Sequence, residues 1–220
     1  MRHLVNDITI QEQQMNNFLN RFEKRIENFW TKDKDERNKL LNEILVYANS
    51  NQQTFKTEIN QIKFDEDLMV LPVISKALSA DTEIWGQFYV ELLDDILEAA
   101  RKSHNPNDFL EHLEDFSYIE DDNRPFVQQI VDRLYKELDS ENLHIKLAAI
   151  WTLPNYLENN SIRNKSSIID KLRQYLHHEN WKVRVVAFRS LGFGDLLPYG
   201  YNLSLNDKLK KLIFGSPPII

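Results

Sequence analysis

The tightest cluster of side chains that could do chemistry in this sequence is His177-His178-Glu179. Imidazole and carboxylate groups are ligands that transition metals accept, so a metal-dependent enzyme is one hypothesis for the chain. Adjacent residues on a turn point in different directions, which does not suit a shared metal ion. We therefore predict an ordinary solvated turn here, with no metal and no cofactor.

A second group of candidate functional side chains is a concentration of Asp and Glu residues in the middle of the chain. Residues 64–122 carry 16 Asp/Glu against 3 Lys/Arg, whereas residues 123–220 carry 9 against 14. This distribution leaves two interpretations open, a solvated acidic face or a docking patch for a basic partner. The residues of the candidate acidic docking patch are Asp94, Asp95, Glu111, Glu114, Asp115, Glu120, Asp121 and Asp122.

The third group is basic and lies near the C-terminal end, with Trp181 and Tyr175 nearby. Such a group could contact nucleic acid, but the acidic middle disfavours general nucleic-acid binding by the whole chain. The full sequence has no Gly-rich phosphate loop, nucleophile elbow or HExxH motif. The basic cluster consists of Lys165, Lys171, Arg173, Lys182, Arg184 and Arg189.

Composition limits the classes of protein to which the chain can belong. Its 220 residues are 42% hydrophobic and 28% charged, which is typical of a packed globular protein. The lack of cysteine excludes disulfides, thiolate metal sites and a cysteine nucleophile. Residues 1–14 are polar, and no run approaches the roughly 18 apolar residues of a membrane span. We predict a cytoplasmic protein that does not enter a membrane.

The elements that must position these groups are helices, because apolar residues recur at i, i+3, i+4 and i+7 and only 5 Gly and 7 Pro interrupt the chain. Capping boxes at Ser167-x-x-Asp170 and Ser204-x-x-Asp207 mark two helix starts. The pattern predicts helices over 10–30, 35–48, 68–78, 82–102, 106–117, 124–138, 142–158, 167–177, 181–191 and 204–214.

An internal repeat organises the second half of the chain. At an offset of 38 residues, Ile130-Val131-Asp132-Arg133-Leu134 matches Ile168-Ile169-Asp170-Lys171-Leu172. The same offset aligns the following turn and helix, from Asn142 to Leu153 with Asn180 to Leu191. Two helices and their connection therefore recur as one unit, which is typical of helical repeat proteins.

The segment Asn180-Trp181-Lys182-Val183-Arg184-Val185-Val186-Ala187, followed by Leu191-Gly192, resembles the second helix of a HEAT repeat. The resemblance covers 124–192 and extends in part over 68–101. It implies an all-α fold, a right-handed α-solenoid of HEAT-like helical hairpins with an N-terminal helical cap. We expect the cap region over 1–63 and the repeats over 64–220, in one continuous domain.

The HEAT resemblance also implies an Asp that pairs with the Val-Arg arginine of a neighbouring repeat, and Arg184 is such an arginine. The positions that match this Asp hold Ser140 and His178 instead. Deoxyhypusine hydroxylase, a HEAT-like enzyme, binds iron through His-Glu pairs that recur in several repeats. Here the equivalents of His177, His178 and Glu179 are Asp139, Ser140 and Glu141, which breaks that pattern. Certain bacterial DNA glycosylases are also HEAT-like, but the paired Trp and Asp residues of such an enzyme are missing.

A helical wheel at roughly 100° per residue separates two faces of the second helices. One face should be core: Ile145, Ala149 and Leu153, with Val183, Ala187 and Leu191. The other should line the concave side and bind the partner: His144, Leu147 and Trp151, with Lys182, Val185 and Arg189. Trp151 is either a partly exposed anchor or a residue covered by a neighbouring segment.

These observations predict a non-enzymatic protein–protein interaction module that uses the concave face of a short HEAT-like array. One form of it would bind or inhibit a basic protein through the acidic patch. The alternative is a HEAT-like enzyme or nucleic-acid-binding protein, either similar to a DNA glycosylase or metal-dependent at the His-Glu cluster. The oligomeric state is left open.

Overall fold

The computed structural model of the chain describes residues 17–62, 70–110, 113, 125–157, 162–215 and 217. Every regular element among these residues is an α-helix or a short 3₁₀ turn, so the predicted all-α class is confirmed. The chain divides into two compact units, Met1–Thr82 and Glu83–Ile220. The boundary predicted between 63 and 64 lies outside the described residues. No helix in the described part is long and apolar enough to span a bilayer.

The first unit is built on aromatic packing. Phe18, Phe22 and Ile26 lie on one face of its first helix, and they are buried together with Phe29, as their spacing predicts. The Phe18 ring contacts the ring of Phe55 at a centroid distance of 5.6 Å. The elements of this unit are α1 (17–27), a 3₁₀ turn at Phe29–Thr31, α2 (Lys34–Ser50), α3 (Gln52–Ile62), α4 (Val70–Leu78) and a 3₁₀ turn at Ser79–Asp81.

Helix α3 corrects the sequence prediction, which left 49–67 without an element. Asn51 ends α2 and its side chain accepts a hydrogen bond from the Thr54 amide at 3.1 Å, so a new helix begins directly after the old one ends. Phe55, Ile59 and Ile62 form a buried stripe on α3. The helix was not predicted because most residues between these three are polar, which weakens the apolar periodicity of the segment.

Glu58 is a buried carboxyl group in the same helix. It accepts hydrogen bonds from the Tyr47 hydroxyl at 2.9 and 3.1 Å. Burial raises the pKa of Glu58, since the charged form loses its hydration and the Tyr47 bond only partly compensates. Burial and the neighbouring carboxylate raise the pKa of Tyr47 to about 12.

The second unit consists of paired helices. Within it, α7 packs on α8, α8 packs on α10, and α10 packs on both α9 and α11. Its elements are α5 (Thr82–Lys102, whose first residue closes the first unit), α6 (Asn107–Leu110), α7 (Pro125–Glu137), α8 (Leu143–Tyr156), α9 (Lys165–Gln174), a 3₁₀ turn at Tyr175–His177, α10 (Trp181–Phe193) and α11 (Leu205–Phe214).

Close packing between α5 and α7 depends on Gly86. A Cβ atom at this position would overlap the ring of Phe126 on α7. With hydrogen there instead, Phe126 stacks on Tyr89 at a centroid distance of 6.1 Å. Glycine therefore has a packing role inside α5 that outweighs its poor helix propensity.

Helix starts confirm one capping box and correct another. The Ser204 side chain accepts a hydrogen bond from the Asp207 amide and caps α11, as predicted. The Ser167 box is wrong, because α9 already begins at Lys165 after Asn164 in a left-handed conformation (φ 59°). A non-glycine residue at positive φ leaves no signal in a simple spacing pattern.

Candidate functional site

Helices α8 and α10 carry the residues that we assigned to a contact surface. The six predicted core positions are all buried: Ile145, Ala149 and Leu153 on α8, and Val183, Ala187 and Leu191 on α10. The predicted core positions of both helices are therefore confirmed. These apolar faces fix how the two helices pack, and with it the spacing of the side chains beside them.

The six predicted contact residues fall into two groups. His144, Trp151, Lys182 and Arg189 are partly exposed. Leu147 and Val185 are buried and cannot contact a partner, which corrects their assignment. The physical reason is that α8 packs against α6, α7 and α10, so its apolar arc is wider than one stripe.

Trp151 stands at the centre of the partly exposed group. The guanidinium carbon of Arg189 lies 5.4 Å from the centre of the Trp151 ring system. Phe193, one turn after Arg189 on α10, meets Trp151 edge-on at a centroid distance of 5.4 Å and is 74% exposed. We call Trp151, Arg189 and Phe193 the Trp151 cluster. The sequence prediction missed Phe193 because it ended the helix at 191, whereas α10 continues to Phe193 and carries it on the same face as Arg189.

The charge around the Trp151 cluster is positive. Lys182 lies two turns before Arg189 on α10. Among the residues that the structure describes, no carboxylate pairs with either side chain. A guanidinium over an indole face still has N–H groups that can donate hydrogen bonds to a ligand. The surface can thus offer aromatic contact area and charged donors to one ligand.

His144 lies at the N-terminal end of α8, where its Nδ1 is 2.8 Å from Oδ1 of Asn107 on α6. This contact joins α8 to α6 and fixes the imidazole orientation. His144 therefore belongs to the edge of the surface, and its ring is already engaged by a neighbouring helix.

The His177-His178-Glu179 segment holds its imidazoles apart. The His177 ring contacts Tyr201, whereas the His178 ring contacts Tyr175 and accepts a hydrogen bond at Nδ1 from the Asn180 amide at 3.0 Å. Burial lowers the pKa of His178. Within the described ranges, no group of three or more His, Asp or Glu side chains is close enough to hold a metal ion.

Arg184 is part of an inter-helix ion pair. Its guanidinium binds both carboxylate oxygens of Asp207 on α11, at 2.8 and 2.5 Å, and also donates to the carbonyls of His178 and Glu179. Asp207 is buried, and the hydrogen bonds from Arg184 hold the pKa of this carboxyl below its usual range. The sequence pattern indicated Asp207 only as part of a capping box, so its ion pair with Arg184 was not predicted.

Only part of the acidic docking patch is described. Asp94 and Asp95 are exposed on α5, and Arg133 of α7 binds Asp94 at 2.6 Å. Both aspartates border an open groove of about 560 Å³ between α5 and α7, which is also lined by Glu98 and Glu137 and by the cations Arg101, Arg133 and Lys136. The remaining patch residues lie outside the described residues: Glu111, Glu114, Asp115, Glu120, Asp121 and Asp122.

Comparison with protein-family models, curated proteins and solved structures returned no match for this chain.

Proposed function

We propose that this chain is a non-enzymatic protein-binding module whose partner contacts the α8–α10 surface around the Trp151 cluster. The observation that carries the proposal is the exposed Phe193 ring set edge-on to Trp151, with Arg189 over the Trp151 ring. Aromatic and arginine side chains are enriched in protein interfaces and among the few residues that dominate binding. Their mutual contacts also hold them in place before a partner arrives, which reduces the entropy cost of binding.

We further propose that the helices form a right-handed, HEAT-like α-solenoid, with 1–63 as its N-terminal cap. Equivalent contacts at an offset of 38 residues support this: Asn142 and Asn180 cap α8 and α10 in the same way. The carbonyls of Leu138 and Leu176, which are 38 residues apart, each accept a hydrogen bond from a tyrosine hydroxyl, although the donors Tyr175 and Tyr201 are not at equivalent positions. The Arg184–Asp207 pair supports it too, because the HEAT resemblance implies such a pair between neighbouring repeats.

The partner should bring an acidic side chain next to an apolar one. Lys182 and Arg189 lack carboxylate partners among the described residues, and an incoming carboxylate would be attracted to them. A basic partner at the acidic patch is less well supported, because Asp94 is already neutralised by Arg133. The lack of cysteine suits a reducing compartment, so we propose the cytoplasm as the site of action.

Site-specific photo-crosslinking tests the proposal. A photoreactive phenylalanine analogue at position 193 should give a specific covalent adduct with one protein in the source cell. The same analogue at the fully exposed Tyr199 is the matched control and should give none. Adducts of equal yield at both positions, or an adduct with nucleic acid at 193, would contradict the proposal.

A further inference from the structure

The last helix of the described chain turns its apolar side to solvent. On α11, Leu205, Leu209, Leu212 and Ile213 are exposed, and Leu212 is 80% exposed. At roughly 100° per residue these four side chains form one stripe. Asp207 lies on the opposite face of the helix and binds Arg184 of α10. The helix thus packs on its neighbour through its polar side.

An equivalent stripe elsewhere in the same chain is fully covered. Ile168, Leu172, Tyr175 and Leu176 have the same spacing of i, i+4, i+7 and i+8 as the four α11 residues, and all of them are buried. Helix α10 packs along α9 and the following 3₁₀ turn and covers this stripe. One spacing therefore produces a helix-packing face in one hairpin and an exposed face in α11.

We propose that the α11 stripe is a docking surface for an amphipathic helix of a partner protein, which packs on α11 as α10 packs on α9. The 10 residues of α11 extend for about 15 Å, room for roughly three turns of a partner helix. This surface is distinct from the Trp151 cluster, so the inference does not depend on the proposed function.

Charge identifies the kind of helix. Lys208 is exposed on one edge of the stripe. The single carboxylate of α11, on Asp207, is already paired with Arg184. A partner helix with glutamate or aspartate beside its apolar stripe complements this lysine.

Two other occupants fit less well. A second copy of the chain would bring the same Lys208 and no unpaired α11 carboxylate to the stripe, so the two helices would lack charge complementarity. A lipid surface requires the lysines to spread beside the apolar stripe at headgroup level. Here Lys210 and Lys211 are half-buried towards the body of the unit.

Binding of two synthetic helical peptides to the full chain tests the inference. Both peptides carry the same Leu/Ala stripe, one flanked by glutamates and the other by lysines. Fluorescence anisotropy should show about tenfold tighter binding of the glutamate peptide. Leu212→Glu should weaken that binding at least about tenfold. Val46→Glu, at an exposed apolar position of the first unit, is the matched control and should leave it unchanged.

Lys208→Glu gives a second readout that needs no change in the apolar stripe, and it should reverse the preference between the two peptides. Equal binding of both peptides, or no effect of either substitution, would overturn the proposal. Sedimentation showing a dimer that Leu212→Glu dissociates would assign the surface to a second copy instead. Binding to phosphatidylserine vesicles that Leu212→Glu abolishes would assign it to lipid.

Discussion

In the hairpin α7–α8, Asn142 caps the second helix, and Ile145, Ala149 and Leu153 form its core face. In the hairpin α9–α10, the cap is Asn180 and the equivalent core face runs from Val183 to Leu191. The partly exposed positions of the same helices differ in chemistry. His144, Lys146 and Trp151 in the first hairpin stand where the second has Lys182, Arg184 and Arg189.

Core and exposed positions of the repeat are thus under different constraints. Core positions keep their apolar type because burial against a neighbouring hairpin requires it. The exposed positions are free to vary, and here they complement one another across the hairpins, with Arg189 over Trp151. The pair arises only because equivalent positions carry unlike residues.

Truncation of a core leucine should lower the free energy of unfolding more than any other substitution considered. Leu153→Ala and Leu191→Ala should each lower the free energy of unfolding by about 2–5 kcal/mol, because both remove buried contacts at equivalent positions. Native-state hydrogen exchange of the α8 and α10 amides measures the loss. Leu205→Ala, at an exposed position, is the control and should change the free energy by less than about 0.5 kcal/mol. A cost at only one of the two core sites would break the equivalence of the hairpins.

Arg184 and Lys146 occupy equivalent positions but make different contacts. Arg184→Met should lower the free energy of unfolding by about 3 kcal/mol, because it leaves the buried carboxylate of Asp207 without its cation. Lys146→Met should cost less than about 0.5 kcal/mol, since a partly exposed lysine contributes little. Equal costs in chemical unfolding would show that the inter-helix ion pair has no special weight.

The same ion pair makes stability depend on pH. The pKa of Asp207 is lowered in the folded chain, so its contribution is complete above the unfolded-state pKa of about 3.9 and is lost as pH falls through the folded pKa. Glu58 acts with the opposite sign, because its raised pKa gives stability at low pH that is lost as pH rises above about 4.3 towards the folded pKa.

Thermal unfolding of matched variants between about pH 2 and pH 7 separates the two groups. The advantage of the wild type over Asp207→Asn should shrink towards the acidic end. The stability of Glu58→Gln relative to the wild type should instead rise with pH. Parallel pH curves for the wild type and Asp207→Asn would refute the assigned role of Asp207.

Smaller effects are expected at the two tyrosine hydroxyls that donate to the carbonyls of Leu138 and Leu176. Tyr175→Phe leaves the buried carbonyl of Leu138 without a donor and should cost about 1–2 kcal/mol. Tyr201→Phe removes the bond to the Leu176 carbonyl at a partly exposed site and should cost about 0.5–1 kcal/mol. Chemical unfolding of both variants measures the difference, and a larger cost for Tyr201→Phe would contradict the burial argument.

Much of the helical framework was predictable from the sequence because it depends on local spacing. The offset of 38 residues located α7 to α10, and the wheel placed the core faces of α8 and α10 correctly. Helix α3 was missed because its stripe of Phe55, Ile59 and Ile62 is diluted by polar residues. Asn164 was missed as the start of α9 because left-handed backbone geometry leaves no periodic pattern.

The contact surface was less predictable because it depends on which helices become neighbours. Leu147 and Val185 lie on the helix faces opposite the predicted core, but other helices cover them. Their apolar type was the available signal, since the four partly exposed positions hold His, Trp, Lys and Arg. The bond from Arg184 to Asp207 spans 23 residues and joins two helices, so no local motif could indicate it.

The most direct test of the proposed function is the affinity of Trp151→Ala for the partner identified by crosslinking at position 193, measured by calorimetry beside the melting temperature. The surface account predicts binding weaker by about 2 kcal/mol or more, with only a small change in stability. Trp30→Ala, at another partly exposed tryptophan, is the control and should bind like the wild type. Unchanged affinity in Trp151→Ala, or a loss of folding that explains its weaker binding, would contradict the account.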